Sequence, residues 1–323
     1  MKIGITGNRN SWHFSQLNRA AMAKNIQLIP FAWDHMKVVI DADRCSEFFV
    51  GDRPIADFDC ILTRTMSPGS LQQIVFRMDL LQQIESQLGI AVINPAKTVE
   101  ASVDKYLSLE KIRSAGVRVP RTLVSQNLDA AMSHFDRLAG DVVAKPIFGS
   151  QGRGIVRLQD TESASQHFEN LIATEQIIYQ QQFLCHNKDY RLLVIGSEIY
   201  AMSRHRPGHW ITNASLGATC EFHDPTTEEI AIAKKSAEAV GASIAGVDIV
   251  YDEGKPYVVE INSSPAWQAI SKVVEVDIAD RIISFAEQVG LCRFCSYPDC
   301  HELYSATVQR SRRPDPSEFP TGS

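Results

Sequence analysis

Hydrophobic and polar positions alternate in blocks over the first ninety residues. Short apolar runs at residues 2–6, 26–31, 60–63 and 90–93 read as strands, with amphipathic stretches between them, which is the pattern of βαβ units in a parallel sheet. Between the last two runs, Leu71, Ile74, Val75, Met78, Leu81 and Leu88 recur at helical spacing, so this segment lays one face on the sheet. Asn94-Pro95 closes the unit. Gly7-Asn8-Arg9-Asn10 follows the first strand, at the carboxyl end where open α/β sheets bind ligands.

The period changes downstream. A helical pattern over residues 98–115 stops at Gly116, and Val119-Pro120 leads into extended chain. Strand-like 142–145, a glycine-rich turn, strand-like 155–158, a helix over 163–173 and a strand over 177–183 make an α+β unit. Residues 191–195 and 198–202, joined by Gly196-Ser197, predict one hairpin, and 246–251 with 257–261 predict another. Helices over 228–240 and 278–289 complete the pattern. Beyond Leu291 the composition shifts to Cys, Ser, Pro and Arg, and the final dozen residues have the composition of an unstructured tail.

Composition narrows the function classes. The 323 residues carry a formal net charge of -6, so there is no basic field to hold a nucleic acid. No apolar run reaches the ~18 residues of a membrane span, and the N-terminus lacks the features of a signal peptide, so a cytoplasmic protein is expected. Of seven cysteines, Cys45, Cys60, Cys185 and Cys220 are scattered and form no disulfide framework. Cys292, Cys295 and Cys300, followed by His301, have the spacing of a small Zn²⁺ knuckle, and a redox-sensitive tail is the other reading.

Two constellations carry chemistry. Gly149-Ser150-Gln151-Gly152-Arg153-Gly154 follows a strand ending in Lys145-Pro146. It lacks the Gly-Lys-Ser/Thr ending of a Walker A loop and does not open a helix, so it fits a flap over a triphosphate, or else a plain glycine hairpin turn. The second is sharper. Asp248 lies in one strand of the last hairpin and Glu260 and Asn262 in the other, two apart and so on one face. With Asp252 to Lys255 as the turn, Asp248 lies roughly opposite Glu260, and the three oxygen-bearing side chains converge on a Mg²⁺ site in an otherwise apolar hairpin; a solvated sheet face is the other reading.

Asp104-Lys105, Val143-Ala144-Lys145-Pro146 with the glycine loop, Asp189-Tyr190-Arg191, Ala245 to Asp248 and Glu260 to Pro265 stand in the order seen in ATP-grasp ligases. The chain resembles the RimK-type α-L-glutamate ligases over roughly residues 1–290. The resemblance implies an ATP-grasp fold: an N-terminal parallel α/β domain (1–95), a central α+β subdomain (96–185) and a second one (186–291), with ATP between the last two and a tail at 292–323. It also implies that Lys105 and Lys145 contact phosphates, that Ser150, Gln151, Gly152 and Gly154 form the flap, that Gln182, Phe183 and Leu184 line the adenine pocket, and that Asp189 faces the ribose. Two Mg²⁺ ions, or Mn²⁺, would sit on Asp248, Glu260 and Asn262. Arg191 and Arg204 would hold the acyl phosphate or a substrate carboxylate, with Asn213 beside the reacting phosphate.

The implied reaction is activation of a carboxylate by ATP, followed by attack of an amine, with L-glutamate and a small-molecule carboxylate acceptor as partners and a homo-oligomer as the assembly. Arg64 to Asp79 resembles a narrower subgroup, from planctomycetes and methylotrophic bacteria, linked to tetrahydromethanopterin or methylofuran. Other readings are ligation to a protein or peptide C-terminus and a non-catalytic ATP-binding scaffold. The chain departs from the family at Ile211 and Leu216, where relatives carry arginine; His205, Arg206 and His209 are the candidates to compensate.

Overall fold

The computed structural model describes residues 1–292 apart from 43–44, 150–151 and 187. The chain begins with β1 (Lys2–Thr6), α1 (Trp12–Ala23) and β2 (Gln27–Phe31), followed by a small antiparallel meander of β3 (Met36–Val39), β4 (Glu47–Val50) and β5 (Arg53–Pro54). Next come β6 (Cys60–Leu62), α2 (Leu71–Leu88) and β7 (Ala91–Ile93). These make a parallel sheet in the order β2-β1-β6-β7, so the chain leaves β1 to one side and returns on the other. Helix α2 begins with a capping box on Ser70 and Gln73 and ends at Gly89, which takes a left-handed conformation.

The helix expected over 98–115 is two helices, α3 (Ala96–Val103) and α4 (Lys105–Ser114). Asp104 interrupts it because its short carboxylate caps α4, accepting from the N–H groups of Tyr106 at 2.8 Å and Leu107 at 2.9 Å. The break sets Lys105 at the first position of α4.

A second sheet, in the order β10-β9-β11-β8, is antiparallel and uses β8 (Thr122–Ser125), β9 (Val142–Ala144), β10 (Val156–Leu158) and β11 (Ile178–Gln182). Helices α5 (Leu128–Arg137) and α6 (Thr161–Ala173) cover one face, with Phe135 and Phe168 packed on Val142, Ala144 and Ile178. The third sheet, β14-β13-β12-β15-β16, is antiparallel throughout. It is built from β12 (Lys188–Ile195), β13 (Glu198–His205), β14 (Thr219–Phe222), β15 (Ile244–Asp252) and β16 (Lys255–Asn262), with α7 (Thr227–Val240) between β14 and β15. Both expected hairpins are present and longer than their apolar cores.

Two apolar clusters fix the third sheet in place. On one face Leu192, Val194, Val247, Ile249, Val258 and Ile261 meet Ala233, Ala237 and Val240 of α7 and Ile112 of α4. The last helix, α8 (Ile278–Cys292), returns to the N-terminal sheet: Ile278, Ile282 and Ile283 share a core with Ile3, Ile5 and Leu17, and with Leu193, Ile195 and Trp267. The buried Asn94 ties the same regions by hydrogen bonds. Its amide nitrogen donates to the carbonyls of Ile244 at 2.7 Å and Ser263 at 2.6 Å, and its oxygen accepts from the N–H groups of Ser243 and Ile244. Among the described residues no helix is long and apolar enough to cross a membrane.

Candidate active site

Period-two alternation sorts the third sheet into an oily face and a charged one. On β12, Tyr190, Leu192 and Val194 point one way and Asp189 and Arg191 the other. Arg204 stands opposite Asp189, Asp248 opposite Arg191, and Glu260 opposite Asp248. Asn262 stands opposite Gly246. The absence of a side chain there is required, since a Cβ at 246 would lie 2.8 Å from Nη1 of Arg191 and 3.0 Å from Pro265. A bulge between Asp248 and Ile249 shifts the pairing beyond Glu260.

The charges on this face are shared among few groups. Arg191 grips Asp248 through Nε to Oδ1 and through Nη2 to Oδ2, the latter at 2.6 Å. Arg204 makes a bidentate pair with Asp189, both contacts at 2.7 Å, and its Nη2 also lies 3.0 Å from Oδ1 of Asp248. Thr212, the residue before Asn213, donates its hydroxyl to Oδ2 of Asp189 at 2.6 Å, a contact that residue order does not show. Burial opposes ionisation of Asp248, yet Arg191 and Arg204 hold its carboxyl below the usual range. Burial likewise opposes the charge of Arg204, which Asp248 and Asp189 nonetheless strengthen. The ribose expectation for Asp189 therefore meets a carboxylate already engaged by Arg204 and Thr212.

Glu260 differs. Among the described residues its carboxylate makes no hydrogen bond or ion pair, yet its charge acts on both Lys105 and Lys145. Lys145 donates to Oε1 of Gln181 at 2.7 Å, and burial, with Lys105 adding to it, pulls its ammonium down to about 8 against the opposing pull of Glu260 and Asp248. Lys105 donates to the carbonyl of Gly149 at 3.0 Å and is also lowered, by burial, with Glu260 and Asp104 opposing. The lone-pair count fits a hard cation: Asp248 retains one acceptor position on Oδ2, and Glu260 and the amide oxygen of Asn262 are free among the described residues. No group of three or more His, Cys, Asp or Glu among the described residues could hold a metal, so the amide is needed to complete the set.

The glycine loop leans onto the Thr212-Asn213 segment. A Cβ on Gly152 would meet Oδ1 of Asn213 at 2.9 Å and Ile211 at 3.6 Å, and both Gly152 and Gly154 have positive φ. Ser150 and Gln151 lie outside the described residues. At the end of β11, Gln182 donates its N–H to the carbonyl of Arg121 at 2.8 Å, and Leu184 is buried. The ring of Phe183 lies under the guanidinium of Arg157, 3.4 Å from its centroid, and meets Trp210 edge-on. Arg157, which is not among the expected site residues, is held by Asp141 in a bidentate pair at 2.7 and 2.6 Å. Its sequence signal was a basic residue inside an otherwise apolar strand. Cys292 ends α8, and Cys295 and Cys300 lie outside the described residues.

A family model described as the RimK-like ATP-grasp domain matches residues 102–286, over half the chain. The chain belongs to the RimK-like ATP-grasp family. A tetrahydromethanopterin:alpha-L-glutamate ligase of Methanococcus maripaludis is 28% identical over 292 residues, covering 88% of this chain and 98% of that protein. The protein of the same name from Methanocaldococcus jannaschii is 31% identical over 235 residues, 70% of this chain and 78% of its own. Among solved structures, the ATP-grasp ligase PsnB complexed with a phosphomimetic variant of its minimal precursor, Mg and ADP superposes with a TM-score of 0.70 at 19% identity, over 91% of this chain and 98% of that one. The three-sheet arrangement is thus an ATP-grasp fold, and the RimK-like match spans the second and third sheets together with most of α8.

Proposed function

We propose that this protein is an ATP-dependent α-L-glutamate ligase that joins L-glutamate to a small-molecule carboxylate acceptor. The carrying observation is Glu260, a carboxylate with no hydrogen bond or ion pair among the described residues, whose charge acts on two lysines and which stands opposite a carboxylate held by two arginines. That arrangement supports binding of a polyphosphate and its counter-ion. The name of the methanococcal relative supports a pterin coenzyme as acceptor, and the resemblance around Arg64 to Asp79 points the same way.

In the proposed reaction an acceptor carboxylate oxygen attacks the γ-phosphorus of ATP, the bond to the β-phosphate oxygen breaks, and ADP leaves. The amine of glutamate then attacks the acyl carbon; the bond to phosphate breaks and a proton is released. Glu260, Asn262 and the open position on Asp248 would hold Mg²⁺, which would offset the negative charge of the phosphates. Lys105 and Lys145 bind the phosphates, and the Gly149–Gly154 loop covers them. Phe183 and Leu184 line the base. Arg191 and Arg204, fixed by Asp248 and Asp189, direct positive charge at the reacting phosphoryl group, and Asn213 orients it. The fixed arginines need no reorganisation during the reaction, which is the advantage of pairing them so tightly. A cytoplasmic homo-oligomer is the proposed assembly, to be read by sedimentation.

The test is phosphate release by the purified full chain from Mg-ATP with L-glutamate and a panel of carboxylate acceptors, with product mass followed. A pterin or furan coenzyme gaining one glutamyl residue is the expected result. Nucleotide binding without product from any acceptor overturns the ligase reading.

A further inference from the structure

The ligase reading leaves unused a cavity in the first sheet. It lies where the parallel sheet changes direction, in the crevice between the carboxyl ends of β1 and β6, with a volume of about 210 Å³ and Thr6, Gly7, Ser11, His13, Arg64 and Thr65 among its walls. Open α/β sheets place ligands at this kind of position because two loops diverge there and leave a gap. The cavity falls below the ~300–1,000 Å³ typical of sites for drug-sized ligands, so it suits the end of a small molecule and not a nucleotide.

Its charge is uncompensated. Arg64 has no acidic partner among the described residues; one N–H donates to the carbonyl of Pro265 at 2.9 Å, and its guanidinium lies 4.4 Å from the centre of the Trp267 ring. Burial lowers its pKa to about 10, which shows how little the surroundings favour the cation they hold. Across the same indole, His13 packs edge-on at 4.4 Å, and its Nε2 is buried with no hydrogen-bond partner. Burial and the charge of Arg64 hold this imidazole neutral, down to about 4, so Nε2 can donate or accept as the ligand requires. Ser11 caps α1 at the cavity wall, so the first turn of a 12-residue helix adds its positive end. Arg64, whose guanidinium lacks a counter-ion among the described residues, His13, whose Nε2 lacks a partner, and Ser11 at a helix start thus line one small cavity.

The cavity also connects to the site already described. Arg64 holds Pro265, which follows Asn262 by three residues and packs where Gly246 makes room for Arg191.

From this geometry we infer that the crevice between β1 and β6 is the binding site for a carboxylate of one of the two organic substrates, with Arg64 as its counter-ion and His13 as a second polar contact. The inference rests on the ligase reading only for the identity of those substrates. The carboxylate belongs either to the incoming amino acid or to the acceptor arm, and the experiment separates them.

Calorimetric titration of the full chain with L-glutamate, and separately with glutarate, tests the site without turnover, with and without a non-hydrolysable ATP analogue and Mg²⁺. Binding of at least one carboxylate is expected, weakened about tenfold to a hundredfold by Arg64→Gln, less by Arg64→Lys and a few-fold by His13→Phe, with affinity for the ATP analogue unchanged. A preference for L-glutamate assigns the amino acid; equal binding of glutarate assigns an acceptor arm. Equal carboxylate affinity in Arg64→Gln and the parent overturns the inference, as does a folded parent that binds neither carboxylate. Loss of ATP-analogue affinity in step with the carboxylate would make Arg64 a support for the Pro265 loop and would also overturn it. If Arg64→Gln misfolds, His13→Phe carries the same comparison. Arg64-dependent binding without ligation of any acceptor leaves the pocket standing and removes the ligase reading, whereas ligation unaffected by Arg64→Gln does the reverse.

Discussion

The arginines of the third sheet and the arginine of the first are treated in opposite ways. Arg191 and Arg204 are both gripped by carboxylates, and Asp248 serves the two at once. Arg64 is comparably enclosed but has only a carbonyl and an indole beside it. A buried ion pair adds little net stability over an apolar replacement, but losing one partner strands the other, so the saturated cluster holds a fixed geometry. A buried cation without a counter-ion contributes little net stability to the free protein, since its contacts to Pro265 and Trp267 are set against the cost of its burial. Its place in the structure makes sense when the missing anion comes from outside.

Removing an acid from the saturated cluster should have the largest effect. Asp248→Asn leaves two buried guanidinium groups with a weakened partner, and chemical denaturation should show a loss of about 3–5 kcal/mol. An unchanged unfolding midpoint would mean that the pairing carries no energetic weight. Glu260→Gln separates function from stability on the same face. Its carboxylate makes no hydrogen bond or ion pair among the described residues and only its charge supports Lys105 and Lys145, so it should move the midpoint far less than Asp248→Asn while phosphate release falls about 10²- to 10³-fold. Thr212→Val removes only the hydroxyl that holds Asp189, so a loss of about 1–2 kcal/mol in unfolding is expected.

Two smaller effects sharpen the contrast. Lys145 has its pKa pulled down to about 8, so it is cationic below that pH and loses its charge above it. ATP affinity should therefore fall about tenfold between pH 7 and pH 9, a step that Lys145→Met removes. Equal pH profiles for the two proteins would take Lys145 out of phosphate binding. Arg64→Gln should move the unfolding midpoint least, by under about 1 kcal/mol, because lost contacts to Pro265 and Trp267 are offset by relief of an unpaired cation. A loss as large as that of Asp248→Asn would erase the distinction between the clusters.

Parts of this site are legible from residue order alone. The nearness of Asp248 and Glu260 is legible to within one residue: counting outward from the Asp252–Lys255 turn sets Asp248 opposite Val259, and the bulge between Asp248 and Ile249 moves the pairing to Glu260. The strands of the parallel sheet follow from apolar runs. The meander of β3 to β5 and strand β14 lack a readable pattern, because their segments are short, mixed in polarity and stabilised by neighbours. Helix α5 is different: Leu128, Ala131, Met132 and Phe135 recur at helical spacing behind the Asn127 cap, a legible signal that the expected elements do not include. The apolar period alone places Asp104 inside a helix; local capping wins over the period on either side of it.

What the sequence determined by itself was therefore local and periodic: which residues share a strand face, where turns fall, and which oxygen and nitrogen side chains are available for chemistry. Tertiary structure decided how those groups pair. Nothing in the spacing between Asp189 and Arg204, or between Arg64 and Trp267, shows that they touch, because those contacts depend on strand register and on the return of residues 263–292 to the first sheet. Charge compensation is a property of neighbours in space. For that reason the paired arginines and the unpaired one look alike in the chain and differ only in the fold.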